Sequence, residues 1–131
     1  MAEVAPSPLR WAIVIVDLDP VAGHEQAGEL RALVVSNEPF HRSGMATVCP
    51  ISAREPKYPG EVPIPEGSAG QTTPAVILTH QVRTVDLSRV RAWSLGGAVQ
   101  YVTDPGTRGA VRAALAHHLG LDAPENPSSA P

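Results

Sequence analysis

A mainly β fold, a small and strongly curved antiparallel barrel with short helices and one C-terminal helix, is what this sequence predicts. Three observations carry that expectation. Five or six apolar or β-branched runs, each only as long as a strand, are separated by loops rich in glycine and proline. The 14 prolines among 131 residues interrupt the chain too often for long helices. A strong helix signature occurs once, at Asp104–Pro105 near the C-terminus.

The elements follow in order. Residues 1–8 hold two prolines and little pattern, and are expected to form a loose arm. WAIVIVDL (Trp11–Leu18) is a β-branched run of strand length, and the long turn-rich loop DPVAGHEQAGE follows it. RALVVSN (Arg31–Asn37) is mostly apolar, which predicts a strand buried on both faces. EPFHRSG connects it to a third strand, MATVCPIS (Met45–Ser52), where Pro50 suggests an edge or a bulge. EVPIP is a short strand through Val62 and Ile64, and EGSAGQTTP a flexible loop. AVILTHQ (Ala75–Gln81) begins apolar and ends polar, as a strand leaving the core would. In DLSRV, Asp86 is placed to cap one helical turn, and AVQYV offers a late strand. Asp104 then caps a helix with proline at its first position. Val111, Leu115, His118 and Leu119 fall on one face, and Gly120 supplies the stop. From Asp122 the polar, proline-rich tail to Pro131 is expected to be disordered, which leaves 9–121 as the folded domain.

Composition narrows the function classes. A hydrophobic content of 43% supports one real core, and no apolar run approaches the roughly 20 residues that a membrane span needs. MAEVAPSPLR lacks the basic start and apolar centre of a secretory signal, and a lone Cys49 excludes an intramolecular disulfide. These features predict a soluble cytoplasmic protein. The net charge of −3 argues against sequence-blind coating of nucleic acid, though not against a local basic groove. Nine of the ten cations are arginine, which suits bidentate phosphate recognition but equally fits a GC-rich genome.

The loop stretch VAGHEQAGELRALVVSN (residues 21–37) concentrates titratable and hydrogen-bonding side chains. HEQAG starts like a zinc-protease helix, but the fourth residue on is Gly28 and the segment is not helical. The other histidines, at 41, 80, 117 and 118, lack ligand spacing, so neither a metal nor a cofactor is expected. No serine-nucleophile elbow or phosphate-cradling glycine loop occurs. What remains is His24, Arg31, Ser52 and His80, each near the end of a predicted strand. Metal-free RNA cleavage needs such a set: a base and an acid, a cation for the phosphorane-like charge, and a short hydroxyl donor. Histidine serves either proton role near neutrality, and arginine is the natural oxyanion clamp. By composition and spacing alone, these histidines are more often ordinary surface residues.

The sequence resembles the MazF/PemK/Kid family of toxin endoribonucleases from toxin–antitoxin modules. Val16–Asn37 carries the family's D-L-D-P…G-x-E-Q-x-G…R-P-x-L-V-x-S-N pattern. FHRSGMATVCPISAR, YPGEVPIP, HQVRTVDLSRV and VRAALAHHLGL follow in the family's order. The resemblance implies an SH3-like barrel, a homodimer, and cutting of single-stranded RNA without metal through attack by the ribose 2′-hydroxyl. It also implies a cognate antitoxin whose extended C-terminal segment can occupy the groove. Carried over by position, Arg31 matches the arginine that stabilises the scissile phosphate, and Ser52 the catalytic threonine. His24 matches the histidine some members carry in G-H-E-Q. Glu25 and Gln26 match residues shaping the groove, and Gln81 and Arg83 match the Q-x-R pair, whose role is read mainly as structural or interfacial. Ala53 and Arg54, at the start of the following loop, are included with the RNA-binding residues.

The departures are specific. Leu78 and His80 stand where some members carry an arginine and an aspartate, and leucine cannot be an acid. His80 is then expected to replace the aspartate as base or to share acid–base work with His24. Trp11–Ala12 replaces a glycine plus an acidic residue, and Ala32 replaces the proline after Arg31. The competing expectation is a non-catalytic protein of the same fold, binding antitoxin or RNA, or a CcdB-like topoisomerase poison.

Overall fold

The computed structural model of the protein describes residues 4–67, 71 and 73–124. The strands are β1 (Ala12–Asp17), β2 (Glu29–Val34), β3 (Met45–Ser52), β4 (Val62–Ile64), β5 (Ala75–Ile77), β6 (Arg83–Asp86), β7 (Val90–Ala92) and β8 (Gln100–Tyr101), followed by helix α1 (Pro105–His118). The sheet runs β4-β5-β3-β2-β1-β7, with β6 also on β3 and β8 also on β1, and every pairing is antiparallel. Because β1 and β3 each change partner along their length, the sheet curls into the barrel-like form expected.

Strand alternation divides the core. Ala12, Val14 and Val16 of β1 face one cluster with Ala32, Val34, Ala46, Val48 and Val85. Ile13, Leu33, Cys49, Ile51 and Ile77 face the other, which α1 covers through Val111. The expectation of a second strand buried on both faces holds for Ala32, Leu33 and Val34. Its boundaries do not: β2 starts at Glu29 and ends at Val34. Arg31 is therefore the third residue of the strand and pairs opposite Ile15, rather than opening it.

Pro50 lies in neither an edge strand nor a bulge. It stands where β3 exchanges β6, last paired at Val48↔Arg83, for β5, first paired at Ile51↔Ile77. The Val35 N–H donates to the Thr47 carbonyl at 2.9 Å, so strict alternation makes Ala32↔Pro50 a non-hydrogen-bonded pair. On the other side the Pro50 carbonyl accepts from the Leu78 N–H at 2.8 Å, and the Leu78 carbonyl accepts instead from the Gln81 N–H, so the missing N–H leaves no acceptor there unpaired.

The expected strand Ala75–Gln81 ends at Ile77, and Thr79–Gln81 is a 3₁₀ turn. Asp86 caps its own turn as expected, accepting from the Ser88 N–H at 2.9 Å. β6 and β7 were not expected: they are short and have no continuous apolar run. The late strand is present as β8, and EPFHRSG forms a 3₁₀ turn at Glu38–Ser43.

The Asp104 carboxylate caps α1, accepting from the Thr107 N–H at 2.8 Å and its hydroxyl at 2.9 Å. Val111 is fully buried and Leu115 half-buried, but Leu119 is 58% exposed, and His118 is exposed as well. The seam is Thr107, Val111, Ala114 and Leu115, because the last turn runs past the rim of the core. Gly120 ends the helix at φ +70°: its N–H donates to the His117 carbonyl, and that of Leu121 to Ala116. Gly120→Ala is expected to cost about 1 kcal/mol, read as a lowered midpoint in urea unfolding. Part of the tail expectation, residues 125–131, lies outside the described residues, as do 1–3 of the arm and 68–70 and 72 of the loop. Within the arm, the Pro8 carbonyl accepts a hydrogen bond from the Tyr101 hydroxyl at 2.6 Å. Among the described residues no helix is long and apolar enough to cross a membrane.

Candidate functional site

The loop between β1 and β2 is held from within and from outside. Asp19 accepts from the Gly28 N–H at 3.1 Å, and the Leu18 N–H donates to the Gly28 carbonyl at 3.0 Å. The Glu25 carboxylate turns inward and accepts from the Ala22 N–H at 3.1 Å. Arg83 reaches back to donate to the Leu18 carbonyl at 3.2 Å, and Arg89 donates to the carbonyls of Asp17 and Asp19. Gln81 does the finest positioning. Its Oε1 accepts from the Gln26 N–H at 2.8 Å, while its Nε2 donates to the His24 carbonyl at 3.1 Å. One amide on the 3₁₀ turn thus grips the loop on both sides of Glu25 and brings His24 to the turn that carries His80.

A second loop follows β3. Glu61 has a fully buried side chain and binds both terminal nitrogens of Arg54, one at 2.9 Å. It also accepts from the Lys57 N–H at 2.7 Å and the Tyr58 N–H at 3.2 Å. Arg54, helped by those two N–H groups, holds the Glu61 carboxyl at about 2, far below its ordinary 4.5, although burial pushes the other way. The Thr79 hydroxyl donates to the Gly60 carbonyl at 2.7 Å and joins this loop to the 3₁₀ turn.

The sign of the acid dependence follows. The folded value lies below the unfolded one, so this contribution to stability is complete above about pH 4.5 and fades as pH falls towards 2. Glu61→Gln is expected to lower Tm by a few degrees at neutral pH, with the gap to wild type closing over that window. Thermal melts from pH 2 to 7 read both effects.

These supports open three clefts that share Gln26. The first, about 580 Å³, is lined by His24, Glu25, Gln26, His80, Gln81 and Arg83 among others. The second, about 590 Å³, shares His24, Gln26, His80 and Gln81 with it and adds Arg54, Lys57 and Tyr58. The third, about 500 Å³, contains Arg31, Ser52 and Ala53. Among the described residues, the side chains of His24, Arg31 and Ser52 make no hydrogen bond or ion pair. That of His80 meets only the Tyr58 ring edge-on, at a centroid distance of 6.4 Å. Two nearby carboxylates are already engaged, Glu25 by the Ala22 N–H of its own loop and Glu61 by Arg54. No three His, Cys, Asp or Glu side chains among the described residues are grouped to hold a metal ion.

Residues 9–118 match the family model described as the PemK-like, MazF-like toxin of type II toxin–antitoxin systems. The chain belongs to this family. Among curated relatives, the toxin is 39% identical to the endoribonuclease toxin ChpB of Escherichia coli K12 over 101 residues, 72% of this chain and 84% of ChpB. MazF of Deinococcus radiodurans superposes with a TM-score of 0.69 at 26% identity, covering 90% of this chain and 99% of that one. A MazE–MazF complex from the same organism contains a chain that superposes at 0.66 and 22% identity, covering 92% of this toxin and all of that chain. At that identity the likeness is one of fold.

All ten sequence-predicted residues of this toxin line the three clefts, but in two groups. His24 and His80 share two clefts, Arg31 and Ser52 share the third, and Gln26 borders all. His80 stands on a 3₁₀ turn rather than at a strand end, and Arg54 is committed to Glu61. Gln81 and Arg83, read mainly as structural or interfacial, both bond to the backbone of the loop between β1 and β2. Leu78 is buried at 1% exposure, so the position that carries arginine in some members belongs to the core here. Sequence reasoning missed Glu61 and Tyr58. The signal for Glu61 was an acid placed directly before a buried strand, in YPGEVPI.

Proposed function

We propose that this toxin is a sequence-specific endoribonuclease that cleaves single-stranded RNA, mainly messenger RNA, without a metal. The reacting 2′-hydroxyl attacks the adjacent phosphorus, the bond to the 5′-oxygen breaks, and a 2′,3′-cyclic phosphate remains. His24 and His80 exchange the protons, one taking that of the 2′-hydroxyl and the other delivering one to the departing 5′-oxygen. Arg31 stabilises the charge on the non-bridging oxygens, and the Ser52 hydroxyl donates to them. Glu25, Gln26, Ala53, Arg54, Gln81 and Arg83 form or brace the RNA groove. The observation that carries this reading is the gathering of two imidazoles beside a cleft holding an arginine and a serine, with no polar partner for any of the four side chains among the described residues. The name endoribonuclease borne by the 39% identical ChpB supports the reaction class.

The working unit is a cytoplasmic homodimer, neutralised by a cognate antitoxin whose extended segment fills the same groove; the family description as a toxin–antitoxin toxin supports that partner. Purified protein incubated with a long RNA and excess chelator tests the reading. Fragments ending in a 2′,3′-cyclic phosphate are expected. Intact RNA would favour a protein that only binds antitoxin or RNA.

A further inference from the structure

Tyr58 is one of only five Phe, Trp and Tyr residues in the chain, and it is 62% exposed. A ring left in water on a loose loop would need no account. This loop is not loose. The Tyr58 N–H donates to Glu61 Oε1 at 3.2 Å, and its carbonyl accepts from the Glu61 N–H at 3.3 Å. The Glu61 side chain is itself fully buried and gripped by Arg54. His80 stands at a centroid distance of 6.4 Å and an interplanar angle of 72°, so the imidazole is not stacked parallel on the phenol. The ring borders the second cleft together with His24, Lys57 and His80, and about 590 Å³ accommodates an unstacked base with its sugar.

From this geometry we propose that Tyr58 is a nucleobase-stacking residue of the groove, and that the buried Glu61–Arg54 pair is its positioning device. The inference deepens the proposed function and rests on it. A ring presented in advance at a fixed height supplies a sequence-tolerant stacking face for one base beside the reacting phosphate. Lys57, adjacent in sequence and lining the same cleft, is placed to meet that nucleotide's phosphate. Arg54 works through the loop instead, because Glu61 occupies its guanidinium. Stacking on a neighbouring base acts on binding more than on the chemical step, so its loss reads in KM.

The test first maps a cleavage site on a long RNA, then follows an oligoribonucleotide bearing it. Tyr58→Ala and Tyr58→Leu are expected to raise KM about tenfold with kcat within about twofold, while Tyr58→Phe keeps KM near wild type. Glu61→Gln, which leaves the ring but loosens its support, is expected to raise KM by less and to keep kcat. An unchanged KM in Tyr58→Ala, equal damage in Tyr58→Phe, or a loss confined to kcat overturns the proposal; a Glu61→Gln variant with wild-type KM overturns the positioning role. If wild type leaves RNA intact, the proposed function fails, and fluorescence anisotropy with labelled single-stranded RNA decides the stacking separately. Weaker binding in Tyr58→Ala but not in Tyr58→Phe sustains it, and equal binding in all three refutes it.

Discussion

Arg31→Ala is expected to lower kcat/KM for RNA cleavage by about 10²–10³-fold, the cost of removing one oxyanion donor. Phosphoryl transfer through attack by the 2′-hydroxyl gathers negative charge on the non-bridging oxygens, and a fork of N–H donors matches two of them at once. Arg31 is suited to that work because its side chain is exposed at the third cleft and no carboxylate among the described residues claims it. Its backbone is held in β2 opposite Ile15, so truncating the side chain removes a cation without disturbing the strand. A surface change of this kind alters stability by roughly 0.5 kcal/mol or less, which separates catalytic loss from unfolding. Arg31→Lys, with a point charge in place of the fork, is expected to fall between wild type and Arg31→Ala. A wild-type kcat/KM in Arg31→Ala would remove this residue from the mechanism.

His80→Ala and His24→Ala are each expected to reduce kcat by about 10²–10⁴-fold, the range typical of a lost general acid or base. The structure brings the two imidazoles to shared clefts from elements far apart in sequence, through the grip of Gln81 on the His24 loop. If they divide the proton transfers, the pH–rate profile is a bell, and each substitution deletes one limb. The limb lost on rising pH belongs to the acid and the limb lost on falling pH to the base, so the pair of profiles assigns the roles. The double variant is expected to lose little more than the worse single one, because the two act as a unit. An unchanged rate and profile in His80→Ala would exclude it from acid–base work and return the histidine to its contact with Tyr58.

Much of the architecture was legible because it depends on local chemistry. The N-cap of Asp104, the stop at Gly120, the capped turn at Asp86 and the limits of Met45–Ser52 each follow from residues within a few positions of one another. Two strands were missed for a related reason. β6 (Arg83–Asp86) and β7 (Val90–Ala92) carry polar residues and are strands because β3 and β1 offer them hydrogen-bonding edges. At Ala75–Gln81 the converse holds: local polarity predicts the end of a strand, but the strand stops at Ile77. β3 changes partner at Pro50, and the chain instead takes a 3₁₀ turn there. That turn is what points His80 and Gln81 at the loop between β1 and β2.

The sequence by itself determined the family, the order of most strands, the C-terminal helix and which side chains could do chemistry. Those properties live in residue identity and short-range periodicity. Only the tertiary structure decided what each candidate side chain is free to do. Arg31, Arg54 and Arg83 are the same residue type, yet one is unengaged among the described residues, one is locked to a buried carboxylate and one braces a loop carbonyl. Glu61 lies 7 positions from Arg54 and Leu18 lies 65 from Arg83, and no local pattern encodes such a meeting. A cation's availability depends on which acceptors the fold brings within hydrogen-bond reach, and folding alone sets those distances.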